Sequence, residues 1–80
     1  MKLNLKEFVY PKYWEALELA HSEAKACFRK GINEKSKEYH YNRFVMVCET
    51  LGVLGLVEDS VSLAGEIWEF EYNVDKARSE

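Results

Sequence analysis

Apolar residues return every third or fourth position along most of this chain, the spacing that gathers them on one side of an α-helix. Over residues 11–30, Tyr13, Leu17, Ala20, Ala24, Cys27 and Phe28 share a face, with Trp14 and His21 beside it. Pro11 suits the first turn, where a missing N–H costs nothing, and Gly31 follows Arg29 and Lys30, whose charges suit a helix C-terminus. The small residues in the middle of that face let a neighbouring helix come close. Asn33 then caps a second helix over 34–52, with Glu34 in its first turn and Tyr41, Phe44, Val47, Cys48, Leu51 and Leu54 at helical spacing. Gly52 and Gly55 end or kink it, and Asp59 or Ser60 caps a third helix over 60–78.

The stretch SLAGEIWEFEYNVDKA, residues 62–77, carries two patterns at once. With period 2, Trp68, Phe70, Tyr72 and Val74 line one face of a strand spanning 66–74, and its obvious partner is the N-terminal segment around Leu3 and Leu5. With period 3.6, Leu63, Ile67, Phe70, Val74 and Ala77 form a seam, and Trp68 falls on the far side. The helical reading is preferred because a chain folded about residue 58 sets Leu54 near Leu63, Leu51 near Ile67, Val47 near Phe70 and Phe44 near Val74. A two-stranded ribbon standing alone is weak. The expectation is therefore an all-α, up-down three-helix bundle in one domain over 1–80, with a short N-terminal element whose Phe8 and Tyr10 cover one end of the core. An α+β fold is the alternative.

Composition narrows the class. Hydrophobic residues make up 48% of the chain and charged ones 31%, which describes a globular domain too short for a second core. No run is long enough to span a bilayer, and charges interrupt every apolar stretch near the start, so no membrane and a cytoplasmic location are expected. Two cysteines 21 positions apart lack the paired spacing of a zinc site and are read as buried thiols.

Charge is distributed unevenly. Residues 1–43 carry nine Lys or Arg against six Glu, a net of +3, whereas residues 44–80 carry two against eight acids, a net of −6. The stretch FRKGINEKSKEYHYNR collects Arg29, Lys30, Lys35, Lys37 and Arg43 with Tyr39 and Tyr41 around a turn, the mixture of cations and flat rings that unstacked nucleic acid favours. Glu34 and Glu38 dilute it, and a pI near 5.4 makes nucleic acid the less favoured partner.

Chemistry is sparse. In the hairpin of the first two helices, residue 24 lies opposite about 40 and residue 21 opposite about 43, which brings His21, Cys27 and His40 within one or two turns of each other. A metal site or a Cys27 nucleophile with a His40 base follows in principle, but no acid is evident to orient either imidazole. The pairs Glu15/Glu18 and Glu66/Glu69 have the spacing of helical magnesium ligands, yet Glu15 and Glu18 face away from the apolar side, no such pair falls on the second helix, and the acids read as a solvated surface. No cofactor and no catalytic residue are assigned, and an enzyme is not expected.

Apolar residues outside the seams say more. Val61, Ala64, Trp68 and Tyr72 form a second stripe on the third helix beside Glu69, Glu71 and Asp75, and Val45, Met46, Val53 and Val57 form one on the second. Apolar surface rimmed by charge marks an interface, and Trp and Tyr are frequent anchors. The expected function is a non-catalytic protein-interaction or regulatory module, such as a small inhibitor. It binds another protein with a basic surface through Val61, Trp68, Tyr72, Glu69, Glu71, Met46 and Val53, and it self-associates as a homodimer through the second and third helices. The alternatives are a nucleic-acid-binding module using Arg29, Lys30, Lys35, Lys37, Tyr39 and Arg43, and a small enzyme or metal binder around His21, Cys27 and His40.

Overall fold

A computed structural model of the protein describes residues 10–79, with side chains from Tyr13 to Arg78. The expectations for residues 1–9 and for the Tyr10 side chain lie outside the described residues. Three helices account for most of the rest: α1 (Tyr10–Cys27), α2 (Glu34–Val53) and α3 (Ser60–Ser79). They pack as an up-down bundle in which every pair of helices is in contact. The α+β alternative is overturned, because residues 66–74 lie wholly within α3.

The ends of the helices follow the local chemistry. α1 stops at Cys27, three residues short of the expected end, because its last turn tightens: Phe28 N–H donates to Lys25 O and Arg29 N–H to Ala26 O, at 3.1 and 3.2 Å. Gly31 then takes φ +82°, a left-handed conformation open to glycine, and the chain reverses. Asn33 caps α2, its side-chain oxygen accepting from Ser36 N–H at 2.8 Å. At the other end Gly55, at φ +74°, donates to Gly52 O while Leu56 N–H donates to Leu51 O, both at 3.0 Å. This is a Schellman ending, and its two characteristic apolar residues, Leu51 and Leu56, are both buried. Asp59 caps α3, accepting from the backbone N–H groups of Val61 and Ser62 and from the Ser62 hydroxyl. Those bonds hold its carboxyl below the usual aspartate range.

The core is small and built from small side chains. Ala20 and Ala24 of α1, Phe44 and Cys48 of α2 and Ile67 of α3 form its centre, with Leu17, Val45, Val47, Leu63, Ala64 and Trp68 packed around them. The two alanines are fully buried, so α1 brings its backbone close to both neighbours and leaves the space between to Phe44 and Ile67. The register expected between α1 and α2 holds: Cys27 Sγ reaches Lys37 O, and Glu23 reaches His40.

Between α2 and α3 the register differs from expectation. Phe44 meets the ring of Trp68 at 5.6 Å rather than lying near Val74, a slip of six positions along α3. Gly52 abuts Ser60, and both pairs are symmetric about Leu56. The reversal thus centres on Leu56, because the Schellman ending folds that side chain into the core. α3 is also rotated by roughly 70°, at 100° per residue, from the seam expected of it. Ile67 and Glu71 point inward, while Phe70 and Ala77 are exposed. Trp68 is not on the far side; it is half-buried against Phe28, Tyr41 and Phe44, with ring centroids 4.7 to 5.6 Å away. Burying the largest apolar side chain of α3 removes more apolar surface from water than burying Phe70 would.

Candidate functional site

Two histidine–carboxylate pairs tie the bundle together, and neither was visible in the spacing of any single helix. His40 Nδ1 of α2 lies 2.6 Å from Glu23 Oε2 of α1, and Arg43 Nε donates to the other oxygen of the same carboxylate at 3.1 Å. Burial by itself raises the Glu23 pKa, but the hydrogen bonds and charges of His40 and Arg43 outweigh it and hold the carboxyl below its ordinary value. An ionised carboxylate only accepts, so His40 carries its proton on Nδ1. Arg43 also donates to Tyr39 Oη at 3.3 Å and sits 5.5 Å from that ring. The second pair joins α1 to α3: His21 Nδ1 is 2.8 Å from Glu71 Oε2, and the His21 ring meets Phe70 edge-on at 5.5 Å.

These pairs correct the expectation that no acid is placed to orient either imidazole. Glu23 and Glu71 are both buried, and each carboxyl group meets a histidine of a neighbouring helix. His21 is thereby turned toward α3, whereas His40 is engaged within the α1–α2 hairpin. Cys27 Sγ donates to Lys37 O at 3.6 Å, and burial pushes its thiol pKa up, as it does for Cys48. A thiolate is disfavoured at both sites. Among the described residues, no three His, Cys, Asp or Glu side chains converge as metal ligands would. Glu15, Glu18, Glu66 and Glu69 are all exposed.

The basic turn is divided. Arg29, Lys30, Lys35, Lys37 and Tyr39 are exposed, but Arg43 is committed to Glu23 and to the Tyr39 hydroxyl. Tyr41 rests edge-on against Trp68 at 5.4 Å. This patch therefore presents fewer independent cation and ring contacts than its sequence suggests.

The apolar stripes fare differently. Trp68 and the buried Glu71 leave the proposed surface for the interior, and Tyr72 stays half exposed against Phe28. Met46, Val53 and Val61 remain outside, at 64, 87 and 79% exposure. Val53 and Val61 each follow one partner of the Gly52–Ser60 close approach, so they flank the corner where α2 turns into α3. Met46 lies seven residues before Val53, two turns along the same side of α2, and Leu54 adds a further exposed apolar side chain. From Phe44 to Asp75 the chain holds no Lys or Arg and seven acids. Five of these, Glu49, Glu58, Asp59, Glu66 and Glu69, are exposed. The corner is thus an apolar edge within a stretch of chain that carries acids and no cations.

No family model matches the chain, and neither a curated protein nor a solved structure shows a significant resemblance to it. Among the described residues, no helix is long and apolar enough to cross a membrane.

Proposed function

We propose that the protein is a non-catalytic interaction module whose acidic, apolar α2–α3 corner docks against another protein. The observation that carries this reading is the exposure of Val53, Val61 and Met46 together, within a stretch that contains acids and no cations. An 80-residue chain that needs its apolar residues for a small core gains nothing for its own stability from three such side chains in water. The partner that fits is a protein bearing an apolar patch edged with lysines and arginines, since complementary charge speeds encounter and fixes orientation. This suits a small regulatory protein that covers a basic surface on its target. Tyr72 and Glu69 lie on the same helix and extend the contact along α3.

The test compares the wild type with Val53→Ser/Val61→Ser and with Glu58→Lys/Glu66→Lys. A partner is captured with the wild type and identified, and binding is then measured with both components purified. Binding that weakens strongly in both variants, and weakens with salt in the wild type, supports the reading. A partner without a basic apolar patch, or binding indifferent to both variants, sinks it. Light scattering on the protein alone shows whether the partner is a second copy of this chain.

A further inference from the structure

At the end of the bundle opposite the α2–α3 corner, the last turns of α1 and α3 enclose a cleft of about 490 Å³, within the size range of small-molecule sites. Lys25, Arg29, Lys30 and Arg78 line it, with Phe28 and Val74 as apolar walls. We propose that this cleft binds an organic phosphate, a phosphate monoester carrying a flat, partly apolar body of about the size of a mononucleotide.

The charges support an anion. The four cations come from α1, from the turn after it and from α3, so the tertiary fold brings them together where no single segment would. All four are exposed, and the ion pairs described above, through His21, His40 and Arg43, do not involve them. Glu71 and Asp75 also border the cleft, but Glu71 is buried and its carboxylate is engaged by His21 at 2.8 Å. Cations at helix C-termini are expected from the helix dipole alone. That accounts for Lys25 in the last turn of α1 and for Lys76 and Arg78 in the last turn of α3. Arg29 and Lys30, which lie in the turn beyond the end of α1, are in excess of that need.

The shape and donor types narrow the anion to a phosphate ester. Two guanidinium groups offer paired N–H donors matched to phosphate oxygens, and two ammonium groups offer mobile point charges, a set suited to a dianion. Ser22 adds a hydroxyl. Phe28 is already held against Trp68 and Tyr72, so its ring is fixed before any ligand arrives. A fixed aromatic wall beside a cluster of cations favours a ligand with a planar body next to its phosphate.

The same phosphate could belong to a free nucleotide or to the end of a nucleic-acid strand. Amide chemical shifts of the wild-type chain are followed during titration with adenosine monophosphate, adenosine, inorganic phosphate and a short 5′-phosphorylated RNA. The expected result is saturable binding of adenosine monophosphate that moves the amides of Ser22, Ala26 and Val74. Adenosine should bind roughly tenfold more weakly or worse, and Arg29→Gln/Arg78→Gln should lose a similar factor. Lys25→Gln, an exposed change in the last turn of α1, gives a second measurement if the double variant fails to fold. RNA that binds more tightly through those same amides assigns the phosphate to a strand end; preference for the nucleotide assigns it to a free ligand. The proposal is overturned if adenosine monophosphate produces no saturable shifts, or if Lys25→Gln and any folded Arg29/Arg78 variant bind it as the wild type does. It is equally overturned if adenosine monophosphate itself moves the amides of Lys35 and Lys37 and leaves those of the cleft unchanged.

Discussion

Phe44 of α2 and Trp68 of α3 meet with ring centroids 5.6 Å apart, and their contact sets the register of the α2–α3 hairpin. Trp68 also lies against Phe28 at the end of α1, so one side chain joins all three segments. Replacing it with alanine is expected to destabilise the fold by about 2–4 kcal/mol, somewhat under the cost for a fully buried aromatic. Phe44→Ala, at a fully buried ring, should cost about 3–5 kcal/mol. Denaturant unfolding of both variants tests this. A Trp68→Ala protein as stable as the wild type would mean that the ring is not part of the core.

The helices themselves were legible in the sequence because their caps and periodicity are local properties. Asn33 and Asp59 cap as expected, and the small-residue face of α1 is buried. The rotation of α3 was not legible, because two apolar stripes about 145° apart on one helix give equally good local patterns. What decides between them is the space left by Ala20 and Ala24 and the chain reversal at Leu56, both of which are tertiary facts. The buried carboxylates escaped notice for a similar reason. Glu23 and Glu71 look like solvated charges until the histidines of other helices are set beside them.

Glu23 should make the fold sensitive to acid. Its pKa is lowered in the folded state, so the stabilisation is fully present above the unfolded value, about 4.3 for glutamate, and is lost as the pH falls through the folded one. Unfolding free energy measured against pH should drop below about pH 4.3. Glu23→Gln should lower the stability at neutral pH by about 1–3 kcal/mol and flatten that acid limb. An unchanged acid limb in the variant would remove Glu23 as its source.

Gly52 and Gly65 form a natural pair for comparison, since both lie inside helices. A methyl group at Gly65 meets nothing within 4 Å, whereas one at Gly52 lies 3.0 Å from Ser60 Cβ and 3.3 Å from its hydroxyl. Gly65→Ala should therefore gain the helix propensity of alanine, about 0.5–1 kcal/mol. Gly52→Ala should gain less or lose stability, because α2 and α3 must part slightly at their corner. Thermal melts of the two variants provide the check, and equal gains would show that the corner is looser than the Gly52–Ser60 contact implies.

The two thiols give a measure of how the bundle opens. Cys27 and Cys48 are buried and their thiol pKa values are raised by burial, so neither offers a thiolate to a reagent in the folded state. They sit in different parts of the structure, however. Cys48 belongs to the central cluster with Phe44 and Ile67, whereas Cys27 is the last residue of α1, beside the turn that returns to α2. Labelling with iodoacetamide at neutral pH should modify Cys27 first, through fraying of the last turn of α1. Cys48 should be modified only at the rate of global unfolding. Trp68→Ala should accelerate both, because the ring it removes packs on Phe28 at one end and Phe44 in the core. Labelling of Cys48 ahead of Cys27 would show that α2 and α3 separate before α1 frays, placing the weak point of the fold at the acidic corner.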